Sequence, residues 1–117
     1  MLSGNMLIRA FELQKYRATK ILFRAVAEGK SVIIYGPSGS GKTTLINENE
    51  RLLGNYSYMY VNIKSKTNLK KLLEQQGLIV AEGIYDGRRE LNLPRDNIVE
   101  IHLGITLGKR TNELSYE

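Results

Sequence analysis

The sequence of 117 residues has no cysteine, one histidine and only two prolines. Without cysteine there is no disulfide framework and no thiolate chemistry, a composition suited to a reducing compartment. The lone histidine, His102, has no His or Cys partner for a metal centre, and inside a strand it reads as a packing or edge residue. No catalytic triad and no internal repeat, low-complexity tract or interdomain linker is visible. No apolar run approaches the roughly 20 residues needed to cross a bilayer, and the N-terminus lacks the charged-then-apolar layout of a signal peptide. Cytoplasmic residence with no membrane partner is therefore the expectation. What is present, 42% hydrophobic and 25% charged residues, is ordinary for a globular protein. The length suits one core, and so one domain over residues 1–117.

The formal charge of +5 is unevenly spread. Residues 1–30 hold Arg9, Lys15, Arg17, Lys20, Arg24 and Lys30 against Glu12 and Glu28, six cations less two anions, or +4. Within that segment Leu7, Phe11, Ala18, Leu22 and Ala25 recur at three- and four-residue spacing, which predicts a helix over 6–28 with Asn5 as its N-cap and Gly29 as its stop. Ile21 and Val26 are expected to widen the apolar face. Arg9, Arg17, Lys20 and Arg24 form a stripe on another side. That stripe is either a solvated face or a contact with nucleic-acid phosphates or another polyanion.

The chemistry concentrates in residues 31–44. A β-type run, Val32-Ile33-Ile34-Tyr35, feeds the turn Gly36-Pro37-Ser38-Gly39-Ser40-Gly41, and Lys42-Thr43-Thr44 opens a helical pattern. Gly36-x-x-x-x-Gly41-Lys42-Thr43 is the full phosphate-binding loop spacing. Glycines let the backbone approach a polyphosphate closely, and successive N–H groups can point at it as an anion-binding concavity. Lys42 is suited to the β- and γ-phosphates, and the Thr43 hydroxyl to the shell of a Mg²⁺. The expected ligands are ATP (or GTP) and Mg²⁺, with residues 36–44 as the binding set.

Further along, a helix is expected from Lys42 through Leu52 and Leu53, stopped by Gly54-Asn55. A strand follows over 56–63, with Tyr56, Tyr58 and Tyr60 on one side, packed against a helix. A short helix over 68–76, a buried strand Leu78-Ile79-Val80-Ala81, a loop over 84–91 broken by Pro94, and a fourth strand over 97–104 complete the pattern. The alternation of strand and helix predicts an α/β domain with a parallel sheet whose carboxyl edge carries the ligand. Its parts are a basic amphipathic helix (1–30), a core (31–104) and a tail (105–117).

Residues that follow strands are the candidates for catalysis. Glu82, after an apolar strand, is suited to Mg²⁺ or to a reacting group, with Asp86 as the alternative. Glu82 could equally be a surface carboxylate at a strand end. Arg88 and Arg89 could grip an anionic acceptor bidentately, and Lys109 and Arg110 could stabilise charge on a transferred phosphoryl group.

Gly36-Pro37-Ser38-Gly39-Ser40-Gly41-Lys42-Thr43-Thr44 resembles the loop of small P-loop kinases, above all adenylylsulfate kinases. Leu72 to Ala81 is similar to the helix, glycine and buried strand before their Arg-rich segment, where Tyr85 to Glu90 stands. Ala81-Glu82-Gly83-Ile84 looks like the strand end of uridine-kinase-type enzymes, and Val99-Glu100-Ile101-His102-Leu103 with Arg110 like the strand leading to their lid. The resemblance implies a minimal P-loop NTPase fold, a four-stranded parallel sheet in the order 2-3-1-4 flanked by helices. It also implies ATP-dependent phosphoryl transfer to a small anionic acceptor, with Lys42, Glu82, Asp86, Arg88, Arg89 and Arg110 as the catalytic group. The sequence departs from adenylylsulfate kinases at Asn62-Ile63-Lys64-Ser65, where they carry an acidic motif, and shows neither their acceptor-binding stretch nor a full lid.

A second resemblance is to AAA-type and secretion-type ATPases. Ala27 to Ile34 and Tyr60-Val61-Asn62-Ile63 are similar to their strands, and Thr106 to their polar sensor, although Leu78-Ile79-Val80-Ala81-Glu82 lacks their Asp-Glu pair. It implies an ATPase module acting on nucleic acid, through Arg9, Arg17, Lys20 and Arg24, or within an assembly. A third alternative is a nucleotide-binding protein without turnover.

Overall fold

Apolar residues recurring once per turn build the long first helix, α1 (Gly4–Ala27), and Ala18, Leu22 and Ala25 are its buried residues. The helix begins before Asn5, which lies inside it rather than capping it. Ile21, expected on the inner face, is exposed. It is about 100° around the helix from Leu22, and the core takes only the narrower stripe centred on Ala18. Gly29, at φ 69°, ends the helix with its N–H donating to Val26 O at 3.1 Å and the Lys30 N–H reaching Ala25 O at 2.9 Å. That is the left-handed glycine stop.

The computed structural model describes residues 4–54, 56–64, 67–83 and 97–106. After α1 come β1 (Ser31–Tyr35), α2 (Lys42–Glu48), β2 (Tyr58–Ile63), α3 (Leu69–Gln75), β3 (Leu78–Gly83) and β4 (Ile98–His102). The strands form a four-stranded sheet in the order β2-β3-β1-β4. Each pairing is parallel, with Ile33 opposite Ile79 and Glu100, and Tyr60 opposite Val80. The expected order and α/β class are those found.

Two cores lie on the two faces of the sheet. Val32, Ile34, Leu78, Val80 and Ile101 meet α1, α2 and Leu53 on one face. Ile33, Ile79, Ala81 and Ile63 meet Leu69 and Leu73 of α3 on the other. The central strands β1 and β3 therefore carry unbroken apolar runs. Burying each Val, Leu or Ile side chain contributes about 1.5–3 kcal/mol relative to leaving it exposed.

β4, expected over 97–104, and α3, expected over 68–76, are each trimmed at both ends, and two further elements fall short of their patterns for visible reasons. α2 stops at Glu48 because the Asn49 side chain donates to Leu45 O at 2.7 Å and its N–H turns back to Ile46 O at 3.2 Å. Leu52 and Leu53 still reach the core, but from turns. β2 starts at Tyr58, and its tyrosines do not share one environment. Tyr56 packs on the core and donates to Lys30 O at 2.7 Å. Tyr58 and Tyr60 are exposed and meet edge to face, their ring centres 6.4 Å apart. β2 is an edge strand, and α3 packs on the face that carries Met59, Val61 and Ile63. Asn68 caps α3 by accepting from the Lys71 N–H at 3.1 Å. The expected loop over 84–91, Pro94 and the tail from 107 lie outside the described residues.

Candidate phosphate-binding site

The turn between β1 and α2 is shaped by what a side chain would strike. At Gly36 a Cβ would collide with the backbone carbonyl of Leu103, just past β4. At Gly41 the backbone is left-handed, φ 93° and ψ 19°, and a Cβ would lie 3.1 Å from the Phe11 ring of α1. Glycine alone meets both demands without strain. Pro37, Ser38 and Gly39 form the exposed tip, and Ser40 turns back inside with its N–H donating to Pro37 O at 3.2 Å. The Ser40 Oγ is buried without a hydrogen-bond partner among the described residues. An unsatisfied buried hydroxyl costs about 1–3 kcal/mol, which an oxygen-rich ligand in the loop would offset.

Lys42 is 5% exposed. Its Nζ donates to Gly36 O at 2.7 Å and to Pro37 O at 2.9 Å, both carbonyls of the loop itself. Burial pushes its pKa below the ordinary lysine value, and the charge of Glu82 works against that shift. A depressed lysine pKa means that the ammonium costs stability while it is charged. The cost fades as pH climbs past the folded-state pKa and is gone above the ordinary lysine range. An anion bound beside Lys42 opposes the shift, as Glu82 does. Thr43 and Thr44 follow at the start of α2 with exposed side chains.

Glu82 stands near the carboxyl end of β3, exposed and opposite Asn62 of β2. Because β3 lies directly beside β1, the topology brings this carboxylate to the same sheet edge as the loop. Among the described residues no group of three or more His, Cys, Asp or Glu side chains is placed to hold a metal ion. Asp86, Arg88, Arg89, Lys109 and Arg110 lie outside the described residues. His102 stacks on Tyr35 with ring centres 4.8 Å apart, in an edge strand.

A match to a family described as an AAA domain covers residues 26–99, from the end of α1 to the start of β4. The chain belongs to the AAA domain family. The match takes in the whole phosphate-binding loop pattern, residues 36–44. No comparison supports the resemblance to small P-loop kinases, and the match backs the resemblance to AAA-type ATPases instead. Midasin of Dictyostelium discoideum is 43% identical over 49 residues, a stretch that covers 42% of this chain and 1% of midasin. The chain thus matches a very small part of that relative's length. No solved structure matches.

This AAA domain braces its loop with residues that motif reading missed. Gln14 of α1 makes a two-point contact with the backbone beyond β4, donating to Ile105 O at 3.0 Å and accepting from Ile105 N–H at 2.9 Å. The same Nε2 lies 3.4 Å from Ser40 O. Lys15 adds an ion pair across to α2, 3.3 Å from Glu48, and that hydrogen bond holds its pKa above the ordinary lysine value. One signal was available. Gln14 falls between Phe11 and Ala18 in the apolar spacing, a polar side chain placed in the stripe that faces the core.

No helix among the described residues is long and apolar enough to cross a membrane.

Proposed function

We propose that the chain is the nucleotide-binding core of an AAA-type NTPase that binds ATP or GTP with Mg²⁺ and hydrolyses the terminal phosphoanhydride. The observation that carries this reading is the loop itself. Gly36 and Gly41 are held where a Cβ would clash, Ser40 Oγ is unsatisfied, and Lys42 is held on the loop carbonyls at 2.7 and 2.9 Å. Lys42 exchanges those carbonyls for phosphate oxygens, and residues 36–44 supply the N–H groups around them. Thr43 and Glu82 contribute to holding the divalent cation, which neutralises charge on the phosphates when bound. Among the described residues Glu82 is the only carboxylate at the end of β3, and in this reading it also orients the attacking water and accepts its proton. Ala81 stands beside it where an Asp-Glu pair would add a second acid.

In this reading nothing requires a small acceptor, and Asp86, Arg88, Arg89 and Arg110 have no assigned step. Phosphate release from Mg-ATP, measured with and without pooled nucleosides and sulfonucleotides, separates the readings. Hydrolysis indifferent to acceptors is expected, with Glu82→Gln still binding nucleotide saturably while losing at least about a hundredfold in rate. Acceptor-dependent ADP release would restore the kinase. Tight binding with no release under any condition would leave a binding module.

A further inference from the structure

We propose that the outer face of α1 is a docking seam for an acidic amphipathic helix of a partner protein. Among the described residues six of the eight exposed large hydrophobic side chains lie on this one helix. Met6, Arg9, Leu13, Tyr16, Lys20 and Phe23 follow one another in alternating steps of three and four residues, opposite Ala18, Leu22 and Ala25. A row with that mean spacing is the narrow seam of a coiled coil, rather than the broad face with which a helix covers a core. Its apolar members are well exposed: Met6 54%, Leu13 47%, Tyr16 57% and Phe23 53%. The family match begins at residue 26, so the whole row stands outside the matched core.

Charge decides the occupant. Arg9 and Lys20 sit within the row and have no ion pair among the described residues, whereas Lys15, Arg24 and Lys30 are each paired with glutamates. The row itself holds no acid, and Glu12, the one acid among its flanking positions, is already paired with Lys15, so a second copy would bring more cations than carboxylates to the seam. A bilayer would have to bury Arg9 and Lys20 amid the apolar side chains. Nucleic acid would gain phosphate contacts from them and stacking on Tyr16 and Phe23, but it would leave Met6 and Leu13 without an apolar partner, and the Lys20 ammonium already lies 4.8 Å from the centre of the Tyr16 ring. A helix with leucines along its seam and glutamates beside it satisfies the apolar row and both cations together.

The test uses a fluorescein-labelled peptide of four heptads, with Leu at the seam positions and Glu at the flanking ones, titrated by anisotropy with the full chain. Saturable binding is expected, weakened about tenfold by Arg9→Glu with Lys20→Glu and similarly by Leu13→Ser with Tyr16→Ser. Nucleotide affinity should stay unchanged in both variants, which keeps this result separate from the loop's. A second peptide with Lys at the flanking positions should ignore the wild-type chain and bind the Arg9→Glu, Lys20→Glu variant. Equal binding of the two peptides by the wild type, or insensitivity to both pairs of substitutions, would overturn the proposal. So would a chain that ignores the Glu peptide while these residues bind oligo-dT or phosphatidylserine vesicles, and so would a dimer formed through the seam.

Discussion

On its inner side α1 sets Ala18, Leu22 and Ala25 into the core and reaches the phosphate-binding loop through Phe11 and Gln14. On its outer side it leaves Leu13, Tyr16 and Phe23 exposed. Hydrophobicity does not separate the two sides, since both carry large apolar residues. What separates them is a sheet to pack on, and three- to four-residue spacing assigns each residue to one side or the other. The inner stripe serves folding and the nucleotide loop. The outer one, left exposed, is expected to contribute little to stability, which leaves it free for the docking role proposed above.

Breaking the inner side should give the largest effect. Leu22→Ala removes a fully buried side chain and is expected to cost about 2–5 kcal/mol in urea unfolding. Gly36→Ala comes next, because a Cβ there meets the Leu103 carbonyl. It should cost about 1–3 kcal/mol and weaken Mg-ATP binding together with stability. Gln14→Ala leaves the Ile105 N–H and C=O without their side-chain partner, at about 1 kcal/mol, and should speed amide exchange at Ile105. Tyr16→Ser on the outer side should change stability by no more than about 0.5 kcal/mol. An outer substitution as costly as Leu22→Ala would erase the distinction between the two sides.

The parts of this molecule legible in its sequence are those where one local rule dominates. Gly36 to Thr43 could be read from spacing because a turn packed this closely against Leu103 and Phe11 tolerates few other residue types, and Leu78 to Ala81 because a continuous apolar run of that length suits a buried parallel strand. Ile21 and Leu52 were harder, since an apolar residue near a stripe or past a helix stop can go either way until tertiary packing decides. Tyr58 and Tyr60 look like core residues by strand propensity. Their exposure follows from β2 lying at the sheet's edge, a property of the whole topology. Gln14 acts through the backbone of Ile105, ninety-one residues away, and no local pattern encodes that partner. The choice between kinase and AAA domain had the same character, because the loop is common to both resemblances.

The central claim is that the loop at residues 36–44 binds a nucleotide through Lys42. The most direct test is calorimetric titration of Mg-ATP into the chain and into its Lys42→Ala variant, with circular dichroism to verify the fold of each. Saturable binding by the wild type, weakened at least about tenfold in the variant, is the predicted result, since a hydrogen bond to a charged group is worth about 1.5–3 kcal/mol. Equal affinity in two folded proteins, or no binding by the wild type, would contradict it.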